Sequence, residues 1–243
     1  MCKDCGCSLT DHHHQQDHHH DVVHNPQLND RKTLRVIHKI LDKNDAEAAH
    51  NRAHFEQHGV KAFNLMSSPG SGKTTLLEHL HQHTSLRYAV IEGDLETSRD
   101  ADRLQAQGIA AYQIQTGSAC HLDAFMVHGA LHHLPLDNLD ICFVENVGNL
   151  VCPASYDVGT HKNIVLVSVP EGDDKIEKYP VMFRRADLVL LTKCDLLPHF
   201  DFSLEAAREQ VAKLNPNAVV LEVSVKQPDT LAPVVAWLNS QMQ

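Results

Sequence analysis

The sequence predicts an α/β domain built on a mostly parallel sheet flanked by helices, and two observations carry that expectation. From Gly59 onward, short apolar runs alternate with helical segments, and 42% of the 243 residues are hydrophobic, enough to bury a core of ordinary size. The runs are Lys61 to Met66, Tyr88 to Ile91, Ala110 to Ile114, Ile141 to Val144, Ile164 to Val169, Leu188 to Leu191 and Val219 to Val223. Strands separated by helices are joined by crossovers and pair in parallel, covered on both faces. No internal repeat is visible.

Ahead of this domain, assigned to residues 59–243, Leu34, Ile37, Ile40, Leu41, Ala48 and Phe55 fall mostly at helical spacing and stop before Gly59. Residues 31–58 therefore read as one or two amphipathic helices leading in. Residues 1–30 lack aliphatic periodicity and hold Cys2, Cys5, Cys7, His12 to His14, His18 to His20 and His24, a disordered tail rather than a folded unit. An expression tag would run its histidines together, whereas Gln15, Gln16 and Asp17 interrupt these.

Composition narrows the partners. A net charge of −10 repels nucleic-acid backbones and anionic lipid alike. No apolar run approaches the ~20 residues that span a bilayer, and the start, Met1-Cys2-Lys3-Asp4-Cys5, lacks the apolar segment of a signal peptide, so a cytoplasmic location is expected. Seven cysteines, an odd number in a reducing compartment, suit metal ligation better than disulfides, and twenty histidines ask for the same chemistry.

The segment Ser67-Ser68-Pro69-Gly70-Ser71-Gly72-Lys73-Thr74 lies between the first expected strand and a helical stretch beginning near Thr75. Gly70 and Gly72 let backbone N–H groups turn inward around phosphates, and the helix N-terminus adds partial positive charge. Lys73 would hold the β and γ phosphates and the Thr74 hydroxyl a magnesium ion, with Pro69, Ser71 and Thr75 completing the loop. The general pattern begins with glycine, and Ser67 stands there instead.

Two strands end in acids, Ile91-Glu92-Gly93-Asp94 and Val144-Glu145-Asn146-Val147-Gly148. Ligands of open α/β sheets bind at the carboxyl ends of strands, so Asp94 and Glu145 should face the phosphates. Asp94 would position magnesium or the attacking water, Glu145 stands where such proteins usually carry aspartate, and Gly148 would offer its N–H to the γ-phosphate. Capping of the following segment is the plainer role for either acid.

After the sixth strand comes Thr192-Lys193-Cys194-Asp195, which resembles the guanine-specificity motif Asn-Lys-x-Asp. The Asp195 carboxylate accepts from N1–H and N2–H of guanine, an edge adenine lacks, so GTP and GDP are the expected nucleotides. Thr192 in place of asparagine weakens the orienting bonds. Ser224-Val225-Lys226 is expected to reach the base through main-chain N–H groups.

Cys2, Cys5 and Cys7 form a C-x-x-C-x-C pattern able to wrap one ion. Inside the domain, Cys120 and His121 follow the third strand and Cys152 follows the Glu145 strand, so metal and nucleotide share one face. Adjacent side chains diverge in regular structure, so Cys120 and His121 need a turn or helix start to converge. Three ligands leave one tetrahedral position for water or another chain. Cys142 reads as core, and the two inner cysteines as buried small apolar groups are the alternative.

Ser67 to Thr75, Ile91 to Asp94, Cys120 to Asp123 and Glu145 to Ser155 resemble the corresponding motifs of the HypB family of nickel-incorporation GTPases, over nearly all of residues 31–243. The resemblance implies a P-loop NTPase of the dimerising metal-chaperone type: a GTP-dependent homodimer whose nucleotide face forms the interface, with nickel or zinc held by Cys120, His121 and Cys152 of both chains. It further implies nickel insertion into [NiFe]-hydrogenase, whose large subunit receives it directly or indirectly, together with a small zinc-containing partner. Cys2-x-x-Cys5-Gly6-Cys7 resembles the high-affinity nickel motif of some members. A small-molecule P-loop kinase and a metal store with a nucleotide domain used only for dimerisation are the rival readings.

Overall fold

The computed structural model describes residues 31–94 and 98–242. The tail, with Cys2, Cys5 and Cys7, lies outside the described residues. Seven strands form one parallel sheet: β1 (Lys61–Ser67), β2 (Tyr88–Asp94), β3 (Ala110–Gln115), β4 (Ile141–Glu145), β5 (Lys162–Ser168), β6 (Leu188–Thr192) and β7 (Val219–Val223). Their order is β3-β2-β4-β1-β5-β6-β7, every neighbouring pair parallel. The sheet is thus parallel throughout, and each expected apolar run became a strand.

The central strands read as continuous apolar runs because both faces are covered. One face packs Phe63, Leu65, Phe143 and Leu190 against α2 (Lys73–His83) and α8 (Ala232–Ser240). The other splits in two. Val165, Val189 and Leu191 meet α6 (Pro180–Arg184) and α7 (Leu204–Leu214), whereas Ala62, Ile91 and Val144 meet α4 (Ala124–Leu131). Helices α3 (Arg99–Ala106) and α5 (Lys175–Lys178) are short connectors.

The lead-in is one helix, α1 (Arg31–Gln57), docked on α4. Phe55 and Ala48 are fully buried, and Asn51 donates from Nδ2 to the carbonyls of Ala124 (2.7 Å) and Val158 (3.3 Å). Arg52 pairs with Asp157 at 2.8 Å. Gly159, at φ 88°, lets the chain pass under the helix: a Cβ there would lie 2.5 Å from the Asn51 Cβ.

Candidate nucleotide and metal site

β1 delivers the chain into the phosphate loop, and the loop opens α2 with Lys73 as its first residue. Gly70 at φ 76° and Gly72 at φ 96° occupy the left-handed conformation the inward turn requires. Ser67 stands in for glycine without strain because it ends β1 as an ordinary strand residue. Its buried hydroxyl donates to the Ser68 carbonyl at 2.7 Å and receives the Lys73 ammonium at 3.0 Å. Lys73 is thereby held pointing into the loop.

One cleft gathers Pro69, Gly70, Gly72, Lys73, Thr74 and Thr75 of the loop with Asp94, Glu145, Gly148 and Lys193. The acids at the ends of β2 and β4 therefore meet the phosphate loop. Thr74 donates to Glu145 Oε1 at 2.9 Å, while Glu145 Oε2 is buried with no hydrogen-bond partner among the described residues. Glu92, not singled out from the sequence, leaves its buried Oε2 in the same condition. Burial pushes Glu92 up to about 8, with repulsion from Glu145 and Asp94 adding to it, and burial pushes Glu145 up to about 7 against the attraction of Lys73. Two orphaned carboxylate oxygens beside a threonine hydroxyl are a hard-oxygen set suited to magnesium. Gly148 packs so tightly that a Cβ would lie 2.9 Å from Pro69 Cα.

A second cleft adjoins the first through Gly72, Thr75 and Lys193, and Asp195, Val225 and Lys226 line its far side. Thr192, in the asparagine's place, donates its hydroxyl to the Ser71 carbonyl at 2.8 Å, tying the β6 end to the phosphate loop. Lys193, left-handed at φ 58°, reaches the Gly70 carbonyl at 2.7 Å. Ser224 Oγ donates to Asp195 Oδ1 at 2.6 Å, and this bond, helped by Lys226, holds the Asp195 carboxyl below its ordinary range. The main-chain contact expected of Ser224 is not available, because its N–H donates to Thr230 Oγ1 at 2.9 Å; its hydroxyl orients Asp195 instead. Glu171, also missed, receives the Ser71 hydroxyl at 2.7 Å; burial raises its carboxyl, but the serine bonds outweigh that and hold it low.

Cys120 and His121 lie in a bend just before α4, whose N-cap Asp123 accepts from Met126 N at 2.8 Å. The bend overcomes the divergence of adjacent side chains. Cys152 arrives from the loop after β4, its Sγ 2.9 Å from Cys120 Sγ, and the three ligand atoms all lie within 4.8 Å of one another. A tetrahedral ion with bonds of ~2.0–2.3 Å needs its ligands ~3.6 Å apart, so small side-chain adjustments close the site. His121 stacks on Tyr156 at 3.9 Å, and burial lowers its pKa despite nearby Asp123, keeping the imidazole neutral and able to ligate. Cys142 is fully buried in β4, as a core residue.

Asn146 connects the two centres. It follows Glu145 directly, is 1% exposed, and its Oδ1 accepts from Leu122 N and Val147 N, both at 3.0 Å. Leu122 follows His121, so one side chain spans from the phosphate cleft to the metal ligands. Asn149 repeats the link, donating to the Cys120 carbonyl at 3.3 Å.

Comparison with known proteins agrees with this geometry. The CobW/HypB/UreG nucleotide-binding domain matches residues 61–222. The hydrogenase/urease maturation factor HypB of Helicobacter hepaticus is 51% identical over 221 residues, 89% of this chain and 91% of that protein. The crystal structure of HypB from Helicobacter pylori in complex with nickel has a TM-score of 0.81 at 46% identity, covering 82% of this chain and 95% of that one. The hydrogenase maturation factor HypB from Archaeoglobus fulgidus has a TM-score of 0.77 at 34% identity, covering 84% of this chain and all of that one. With the phosphate loop, the acids and the Cys-His-Cys cluster all beyond the carboxyl ends of the strands of the same parallel sheet, the chain belongs to the HypB family of hydrogenase maturation factors.

Proposed function

We propose that this protein hydrolyses GTP to GDP and phosphate in a magnesium-dependent reaction, carries nickel as cargo, and delivers it to [NiFe]-hydrogenase. The observation that carries the reading is Asn146, whose side chain joins the segment bearing Glu145 to the segment bearing Cys120 and His121. Any change in the phosphate cleft that moves the Glu145 loop must move the metal ligands. Cys120, His121 and Cys152 hold the ion, nickel in transit, with zinc an equally suitable occupant of such ligands.

Asp195 selects guanine by accepting from N1–H and N2–H, and Ser224 fixes its orientation. Lys73 neutralises the β and γ phosphates, and the loop N–H groups with Gly148 surround them. Thr74, Glu145 and Asp94 would hold magnesium in the cleft that Glu92 also lines, and when bound the ion would neutralise charge on the phosphate oxygens. Asp94 or Glu145 orients the attacking water. Loss of γ-phosphate then frees the Gly148 loop, and the metal site relaxes with it.

GTP favours a homodimer across this face, where the open tetrahedral position of one chain meets the partner chain. The hydrogenase large subunit receives the nickel, directly or indirectly, together with the action of a small zinc-containing maturation protein. The work is placed in the cytoplasm, where thiols stay reduced; among the described residues no helix is long and apolar enough to cross a membrane. Cys2, Cys5 and Cys7 capture nickel independently of the nucleotide. Accordingly Lys73→Ala should abolish turnover and spare tail binding, and Cys2→Ala should weaken tight nickel binding and spare turnover.

The direct test is nickel transfer from the loaded protein to apo-hydrogenase large subunit with the zinc partner present, in GTP, GDP and ATP. Transfer that depends on GTP supports the reading. Transfer indifferent to nucleotide would favour a metal store, and turnover that requires an added acceptor would favour a kinase.

A further inference from the structure

Five histidines unrelated to the Cys-His-Cys cluster form a continuous face across two helices. His50 and His54 lie four apart on one side of α1, and His58 follows directly after the helix's last residue, Gln57. His128 lies on α4 and His132 is its C-cap, again four apart. Ring centroids are 5.0 Å apart for His50 and His128, 5.0 Å for His54 and His58, 5.1 Å for His128 and His132, and 6.0 Å for His54 and His132. His50 and His132 are exposed, and the others are partly so.

Hydrogen bonds set the tautomers. Asn51 donates from Nδ2 to the Ala124 and Val158 carbonyls, which fixes Oδ1 as its acceptor end. His128 Nδ1 stands 3.1 Å from that oxygen and 3.4 Å from Glu47 Oε1, so the tautomer these acceptors favour for the neutral ring has its proton on Nδ1 and its lone pair on Nε2. His58 Nδ1 stands 2.6 Å from Asp137 Oδ1, with the same consequence. Metal-binding imidazoles are oriented in this way, by an acceptor on the second ring nitrogen. Burial, and then the neighbouring histidines, lower the pKa of His54, which favours its neutral, ligating form.

We infer that this face is a separate binding site for a divalent transition-metal ion, with His54, His128 and His132 as ligands and His50 and His58 flanking them. His132 is the shared neighbour, its ring centroid 6.0 Å from that of His54 and 5.1 Å from that of His128, so the rings must reorient for the three nitrogens to meet at one ion. Imidazole donors select nickel, zinc or copper and not magnesium. The site requires no nucleotide and stands apart from the delivery reading. α4 begins three residues after His121.

Histidine carbethoxylation of the full-length protein, read peptide by peptide by mass spectrometry, tests this. With Ni2+ in excess of the tail's capacity and at ten times the dissociation constant of the site, labelling of His54, His128 and His132 should slow about tenfold. Exposed His199 should be unaffected, and Mg2+ should protect none of them. The protection should survive Cys120→Ser/Cys152→Ser and vanish at His128 in His54→Gln/His132→Gln, whose surface changes leave the fold intact. Equal labelling with and without Ni2+ would overturn the inference. So would protection lost in the cysteine variant, or protection at His128 that persists in the double histidine variant.

Discussion

Replacing Asn146 by alanine tests the link between the two centres. The side chain is buried, accepts two main-chain N–H bonds and donates to Asn64 Oδ1 at 3.2 Å. Truncation orphans Leu122 N–H and Val147 N–H, and each buried group left unpaired costs ~1–3 kcal/mol. A water molecule entering the space moderates this, so a loss of ~3 kcal/mol is the expected total. For a chain of this size that corresponds to a fall in melting temperature of roughly 6–12 °C. Scanning calorimetry of the nucleotide-free protein measures it. Asn146→Asp keeps the acceptor oxygen but sets a second acceptor against Asn64 Oδ1 and buries a carboxyl beside Glu145, so any loss it shows reports charge and the Asn64 bond rather than the two main-chain bonds. A melting point within about 2 °C of wild type for the alanine variant would refute the reasoning. So would an alanine variant in which nickel still alters nucleotide affinity as it does in wild type.

Other consequences are sharper for the nucleotide. Asp195→Asn retains one acceptor and loses a charged one, so GDP affinity in a fluorescent-nucleotide competition should fall by ~1.5–3 kcal/mol, about ten- to 150-fold, while xanthosine diphosphate, which carries a carbonyl where guanine has its amino group, should gain. Unchanged guanine preference would remove Asp195 from base recognition. Gly148→Ala forces a methyl group against Pro69, an overpacking cost of ~1–3 kcal/mol, and should depress hydrolysis more than nucleotide binding; equal turnover would mean the loop shifts freely. Because Glu92 and Glu145 bind protons more tightly folded than unfolded, their contribution to stability is full below about 4.5 and is lost as pH rises through about 7 to 8. Urea titrations without magnesium should show that decline, and Glu92→Gln/Glu145→Gln should flatten it; a decline of the same size in the double variant would assign it to other groups.

Much of the fold was legible because seven buried parallel strands leave seven apolar runs, and a parallel sheet allows few ways to connect them. The phosphate loop and Asp195 were legible because their chemistry demands particular residues at fixed spacing. What the sequence concealed was carried by tertiary contacts. Glu92 ends the continuous apolar run of β2, next to Gly93 and Asp94, and gives no periodic sign that it is buried beside Glu145. Asn146 and Glu171 are polar residues at strand ends, indistinguishable there from surface caps. Thr192 looked like a weakened motif, whereas the Ser71 carbonyl supplies its partner from 121 positions away in sequence. Ser224 was expected to present its amide to the base, and Thr230 had already claimed it. The α1 histidines were visible only as composition until α4 packed beside them.

The central claim is that nucleotide and nickel act on one coupled centre. If GTP and GDP differ in their effect on nickel affinity, nickel must change their relative affinities by the same factor. The decisive measurement is the ratio of dissociation constants for GDP and a non-hydrolysable GTP analogue, with and without saturating nickel, in wild type and in Cys120→Ser/Cys152→Ser. The account predicts that nickel shifts the ratio in wild type and leaves it unmoved in the variant. A wild-type ratio indifferent to nickel would contradict it.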